Sequence, residues 1–160
     1  MKIIAFTKVR LPYGWLGNMA PFAVVHDGKT YRTTEALFQA LRFEQETIRE
    51  AIRNERSPMA AKVLARRHRN QMVIAPQSTQ DVDNMGMVLQ LKLRAHPQLQ
   101  KLLRETGDAL IIEDCSRRPQ GSGLFWGAAL IDGEWQGANV LGQLWMEIRE
   151  RAGDRNATGK

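Results

Sequence analysis

Four groups of residues in this chain have the types and spacing to do chemistry. The first is Thr33 to Phe43, TTEALFQALRF. Leu37, Phe38 and Leu41 form a helical core face, while Glu35, Gln39 and Arg42 stand at i, i+4 and i+7 on one other face. A carboxylate, an amide and a guanidinium in one line, next to a glycine-rich loop, can hold a sugar and its phosphate. Glu35 can act as a general acid or base when partly buried. The same line also fits a solvated polar face. The second group centres on Lys92, whose neighbours Met85, Val88 and Leu89 are apolar at helical spacing. A desolvated lysine has its pKa pushed down and becomes a usable nucleophile or base. The alternative is an ammonium that reaches water along its own stem.

The third group is LIIED (110–114) with LFWGA (124–128). Glu113 ends a strand, and Trp126-Gly127 sets a flat aromatic beside a residue that lets backbone come close. An indole can stack on a heterocyclic base, or it can fill a core. The fourth is GANVLGQLWMEIRE (137–150). A helix starting at Asn139 offers free N–H groups and a positive dipole end to an anion such as phosphate. Arg149 either lines the same pocket or complements the helix C-terminus.

The elements that must position these groups are short. Lys2 to Phe6 and Ala109 to Glu113 read as strands. Tyr13 to Phe22, which contains Asn18, reads as an ordered loop. Phe22–Val25 and Lys29–Arg32 read as a hairpin around Asp27-Gly28. Helices are expected from Thr33 or Thr34 to Phe43, Glu46 to Asn54, Ser57-Pro58 to Arg69, Gln80 to Ala95, His96-Pro97 to Thr106, and from Asn139 onward. Gln80–Ala95 has almost no polar face and reads as a central buried helix. Cys115–Gly123 and Asp132–Gly137 read as loops. The strands do not alternate with the helices as βαβαβ, so the class is α+β, mostly helical, with a small sheet. One domain over 1–152 and a disordered tail over 153–160 are expected.

With 160 residues and 43% apolar content, the chain can bury a core without staples. A lone cysteine, Cys115, excludes an intramolecular disulfide and fits a reducing compartment. With no signal h-region or membrane span, a cytoplasmic protein is expected. His26, His68 and His96 are not at metal-ligand spacing with it, so no metal is expected. The net charge is +6, and Arg49–Arg69 carries seven Lys/Arg against two Glu. That stripe suits nucleic acid or a phosphorylated ligand, or is a solvated helix face. No nucleic-acid motif accompanies it, and no P-loop, Rossmann or nucleophile-elbow motif is present.

In order and spacing, these blocks resemble the NADAR superfamily, also called YbiA-like. The matching segments include YGWLGNMAPF (13–22), Asp27-Gly28-Lys29 with Tyr31, Thr34-Glu35 with Phe38-Gln39-Ala40, Ser57-Pro58-Met59 with Lys62, and Lys92. Leu110–Glu113, Phe125-Trp126-Gly127 and Gly137 with Asn139, Leu141-Gly142, Met146-Glu147 and Arg149 complete them. The resemblance implies a single α+β domain that hydrolyses a ribose–base C–N bond without cofactor or metal. The implied substrates are ribosylamino-pyrimidine phosphates of riboflavin synthesis, or ADP-ribosylated guanine, so nucleic acid would enter only as a modified substrate. Glu35 or Glu113 would supply charge or activate water, or Lys92 would attack the sugar. Trp126 and Gly127 would meet the base, Asn18, Gln39 and Asn139 the substrate, and Arg42, Lys62 and Arg149 the phosphate. Arg42 stands where many members carry lysine, and Gly123 and Leu124 where an acidic residue is common. Those departures keep a second reading open, a non-catalytic nucleotide or ADP-ribose binding module.

Overall fold

The computed structural model describes the backbone of residues 1–158 and the side chains of residues 1–155. Its elements run β1 (Ile3–Phe6), β2 (Val24–His26), β3 (Lys29–Tyr31), α1 (Thr34–Ala40), α2 (Glu46–Arg53), α3 (Pro58–Arg67), α4 (Thr79–Ala95), α5 (Pro97–Glu105), β4 (Leu110–Glu113), α6 (Ser122–Trp126), β5 (Ala129–Ile131), β6 (Glu134–Gln136) and α7 (Val140–Thr158). The class is α+β, as expected. By contacts the chain is described as two compact units, 1–17 with the residues from 97 onward, and 18–96.

In the first unit, β1 pairs in parallel with β4, Ile3 opposite Leu110 and Phe6 opposite Glu113. Ile4 and Phe6 alternate inward, Ile111 is buried opposite Ile4, and Ile112, opposite Ala5, is buried as well. α7 lays Leu141, Trp145 and Ile148 into the core at helical spacing. The fully buried Trp145 meets Trp15 edge to face at 6.0 Å and donates its indole N–H to the Leu16 carbonyl at 2.9 Å.

Two expectations fail in this unit. The loop at Asp132–Gly137 is instead the antiparallel hairpin β5–β6, turned by Asp132-Gly133 with φ of 50° and 80°. Two successive positive φ values are what a two-residue hairpin turn needs. The disordered tail expected over 153–160 is instead helix as far as Thr158, with 159 and 160 outside the described residues. An isolated glycine such as Gly153 costs a helix about 1 kcal/mol without ending it.

In the second unit, β2 and β3 form the expected hairpin around Asp27-Gly28. The helix starts follow their caps. Thr33 Oγ1 accepts from Ala36 N–H at 3.1 Å, and Ser57 Oγ accepts from Ala60 N–H at 3.0 Å. α1 ends at Ala40, three residues earlier than its pattern suggests. The Arg42 carbonyl instead accepts from Val73 N–H at 2.8 Å. α4 is not buried all round. Asp81, Met85, Val88, Leu89, Lys92 and Leu93 form one buried stripe, and the remaining residues are partly or fully exposed. Among the described residues, no helix is long and apolar enough to cross a membrane.

Candidate active site

α1 presents the predicted line inward rather than to solvent. Glu35, Gln39 and Arg42 are all more than nine-tenths buried. Gln39 Nε2 donates to Glu35 Oε1 at 2.9 Å, and an Arg42 guanidinium N–H donates to Gln39 Oε1 at 3.2 Å. The Arg42 fork then closes on Asp81 with two bonds of 2.9 and 2.8 Å and lies over the Phe38 ring. Asp81, wholly buried, also accepts from Gln77 N–H at 2.8 Å. The result is one hydrogen-bonded relay from Glu35 to the start of α4. Its satisfied donors and acceptors are what make it tolerable in a low dielectric.

Burial pushes the Glu35 carboxyl above the usual carboxylate range. The Gln39 bond and the positive charges of Lys62 and Arg42 pull the other way. Lys62 on α3 is thus within the electrostatic reach of Glu35. Asn18 secures the first turn of α1. Its backbone carbonyl accepts from Glu35 N–H at 3.2 Å, its side-chain Oδ1 accepts from the Thr34 hydroxyl at 2.8 Å, and its Nδ2 donates to Met85 Sδ.

Lys92 does not snorkel. It is fully buried, with Nζ 5.3 Å from the Phe22 ring centroid, and burial lowers its pKa to about 7. An amine in that state is partly neutral near neutrality. Glu35 and Lys92 are therefore both shifted towards their neutral forms.

Arg42, which the resemblance assigns to phosphate, is paired here with Asp81. Asp81 is a residue that sequence reasoning missed. A signal existed: Ser78-Thr79-Gln80-Asp81 has the spacing of a capping box. Ser78 Oγ does accept from Asp81 N–H at 3.3 Å.

In the other unit, the Asn139 side chain clamps β4. Its Nδ2 donates to the Ile111 carbonyl at 2.9 Å, and its Oδ1 accepts from Glu113 N–H at 3.1 Å. Trp126 is 9% exposed and packs edge to face on Phe125. Gly127 touches the Glu113 backbone so closely that a Cβ would stand 2.3 Å from the Glu113 carbonyl oxygen. Gly127→Ala is expected to cost about 1–3 kcal/mol, read by urea denaturation. An unchanged midpoint would contradict the close approach. Arg149 serves the opposite end of β4 from Glu113. It donates to Thr106 Oγ1 at 3.0 Å and to the Ala109 carbonyl at 2.9 Å, so both observed bonds are structural. Gly123 and Leu124 lie in α6, whose first two residues, Ser122 and Gly123, the sequence reads as loop.

A family model described as NADAR domain matches residues 5–152. This chain belongs to the NADAR family. The N-glycosidase YbiA of Shigella boydii serotype 4 is 35% identical over 151 residues, covering 93% of this chain and 88% of that protein. The Escherichia coli K12 N-glycosidase YbiA is 34% identical over the same span. The NMR structure of E. coli YbiA superposes with a TM-score of 0.82 at 31% identity, covering 99% of this chain and 89% of that one. This NADAR protein is accordingly an enzyme, an N-glycosyl hydrolase, and the reading as a non-catalytic module falls away.

Proposed function

We propose that this NADAR enzyme hydrolyses the bond between ribose C1 and a base nitrogen in a phosphorylated ribosylamino-pyrimidine or an ADP-ribosylated guanine. The observation that carries the proposal is the buried Glu35 carboxyl, raised in pKa and held by Gln39 at the end of a relay. The reaction adds water across the bond: hydroxide goes to C1 and a proton to the departing nitrogen. Charge develops on the sugar as in an oxocarbenium ion, which a nearby carboxylate stabilises. A raised Glu35 carries the proton that the leaving nitrogen needs and then takes one from water. Lys62 supplies positive charge for phosphate.

Lys92 supports a second route to the same products. Its neutral amine attacks C1, the sugar ring opens, the base departs with a proton, and water hydrolyses the resulting Schiff base. For Glu113 as the alternative carboxylate, and for Trp126 as a stacking surface, the proposal rests on the family resemblance. The single cysteine supports a cytoplasmic setting.

Glu35→Gln tests the first role. Base release from both substrate classes, followed by chromatography, is expected to fall about 10²–10⁴-fold. The pH dependence of stability also carries a sign. The folded state holds the Glu35 proton more tightly than the unfolded state, so this group's contribution is full below about 4.5 and is lost as pH rises through the folded value. Glu35→Gln should remove that slope from urea midpoints measured across the acid range. Full base release by the variant would reject Glu35 as the acid.

A further inference from the structure

We infer that the cavity between the β2–β3 hairpin and the α1–α2 corner is a second ligand site, taking a small molecule that bears an oxyanion. The cavity has a volume of about 220 Å³. Ala40 and Leu41 form its apolar floor. Glu35, Gln39 and Arg42 are not among the residues that line it. The cavity is therefore distinct from the site proposed for catalysis.

Two of its lining groups are donors that the protein leaves uncommitted. Tyr31 is 5% exposed, yet its hydroxyl bonds to no described residue. No buried side-chain oxygen or nitrogen lacks a partner among the described residues. The Tyr31 hydroxyl must therefore reach solvent, and the cavity it lines is the way out. Burial raises its pKa, so it stays a protonated donor at neutral pH. Arg49, also lining the cavity, uses Nε on the Phe43 carbonyl at 2.5 Å. Its two terminal NH2 groups have no acceptor among the described residues.

A half-buried guanidinium with a free fork beside a phenol hydroxyl is the donor set for a phosphate or carboxylate. His26 adds a third polar group at the rim, with Nδ1 3.7 Å from Asp27 Oδ2. The negative charges nearby do not close the site. Glu46 is paired with Lys29, and the Asp27 side chain is 78% exposed.

The test is an NMR titration of the whole chain with inorganic phosphate and, separately, acetate. Saturable shifts of the Arg49 side-chain Nε and of the amides over 26–31 are expected, with affinity in the millimolar range. The anion that saturates identifies phosphate or carboxylate as the group bound. Tyr31→Phe should weaken binding about tenfold, the loss of one hydrogen bond to a charged group. That variant removes a hydroxyl with no protein partner, so the fold is not at stake. Glu35→Gln should leave the shifts and affinity unchanged. No saturable shift with either anion, an unchanged affinity in Tyr31→Phe, or shifts lost in Glu35→Gln would each overturn the proposal.

Discussion

Lys92→Met is expected to abolish base release while making the protein more stable. The side chain is fully buried and burial brings its pKa to about 7. Methionine matches its length and shape and has no charge to desolvate. If Lys92 attacks the sugar, turnover should fall by about three orders of magnitude or more, as for other covalent nucleophiles.

The stability gain has a defined pH window. The unfolded amine titrates near 10.5 and the folded one near 7. Between those values the unfolded chain holds the proton and the folded chain does not, so wild-type stability rises with pH across this interval. Below 7 the full cost of burying the charge is present, a few kcal/mol at the usual conversion of about 1.4 kcal/mol per pKa unit. Lys92→Met should thus gain most at pH 6 and less at pH 9, read from urea midpoints. Borohydride added during turnover should trap a sugar adduct on wild type and none on the variant. A variant that releases base at the wild-type rate would remove Lys92 from the mechanism.

Asp81→Ala is expected to be the most destabilising single change on α4. It strands the Arg42 guanidinium, itself 8% exposed, and frees the Gln77 N–H. Breaking a buried pair from one side costs about 3–5 kcal/mol. Replacing both partners with apolar residues, Arg42→Met with Asp81→Leu, should recover most of that loss, because no buried charge is then left alone. Activity should not recover with it. Gln39 loses the Arg42 donor that orients its amide, and the amide in turn orients the Glu35 carboxyl. Stability restored with activity still depressed would mark Arg42 and Asp81 as positioning residues. Restored activity would leave them purely structural.

The features legible in the sequence were those with local causes. Thr33 and Ser57 cap their helices, and Asp27-Gly28 turns its hairpin, each through neighbours a few residues away. Asp132-Gly133 carries the same dipeptide signal, but the glycines around it read as loop. The Glu35–Gln39–Arg42 line was legible from helix spacing. That it faces inward was not, because the reason lies in Asp81, 39 residues after Arg42. The end of α1 was hidden for the same reason, since Val73 captures the Arg42 carbonyl. The bonds of the Asn139 side chain to β4 were not legible, because their partners lie 26 and 28 residues away.

The pairing of β1 with β4 also has a consequence for how the chain is born. Residues 18–96 form a contiguous unit, and β1 precedes it while its partner β4 follows it. About 100 residues separate the two strands, which at ordinary translation speeds is roughly 5–20 s. During that interval Ile3–Phe6 leaves the ribosome as an extended apolar segment without its ladder, while 18–96 is free to collapse on itself. Closing so long a loop adds little to the equilibrium cost, which grows only with the logarithm of length. It does mean that residues 18–96 are synthesised in full before β1 can meet β4.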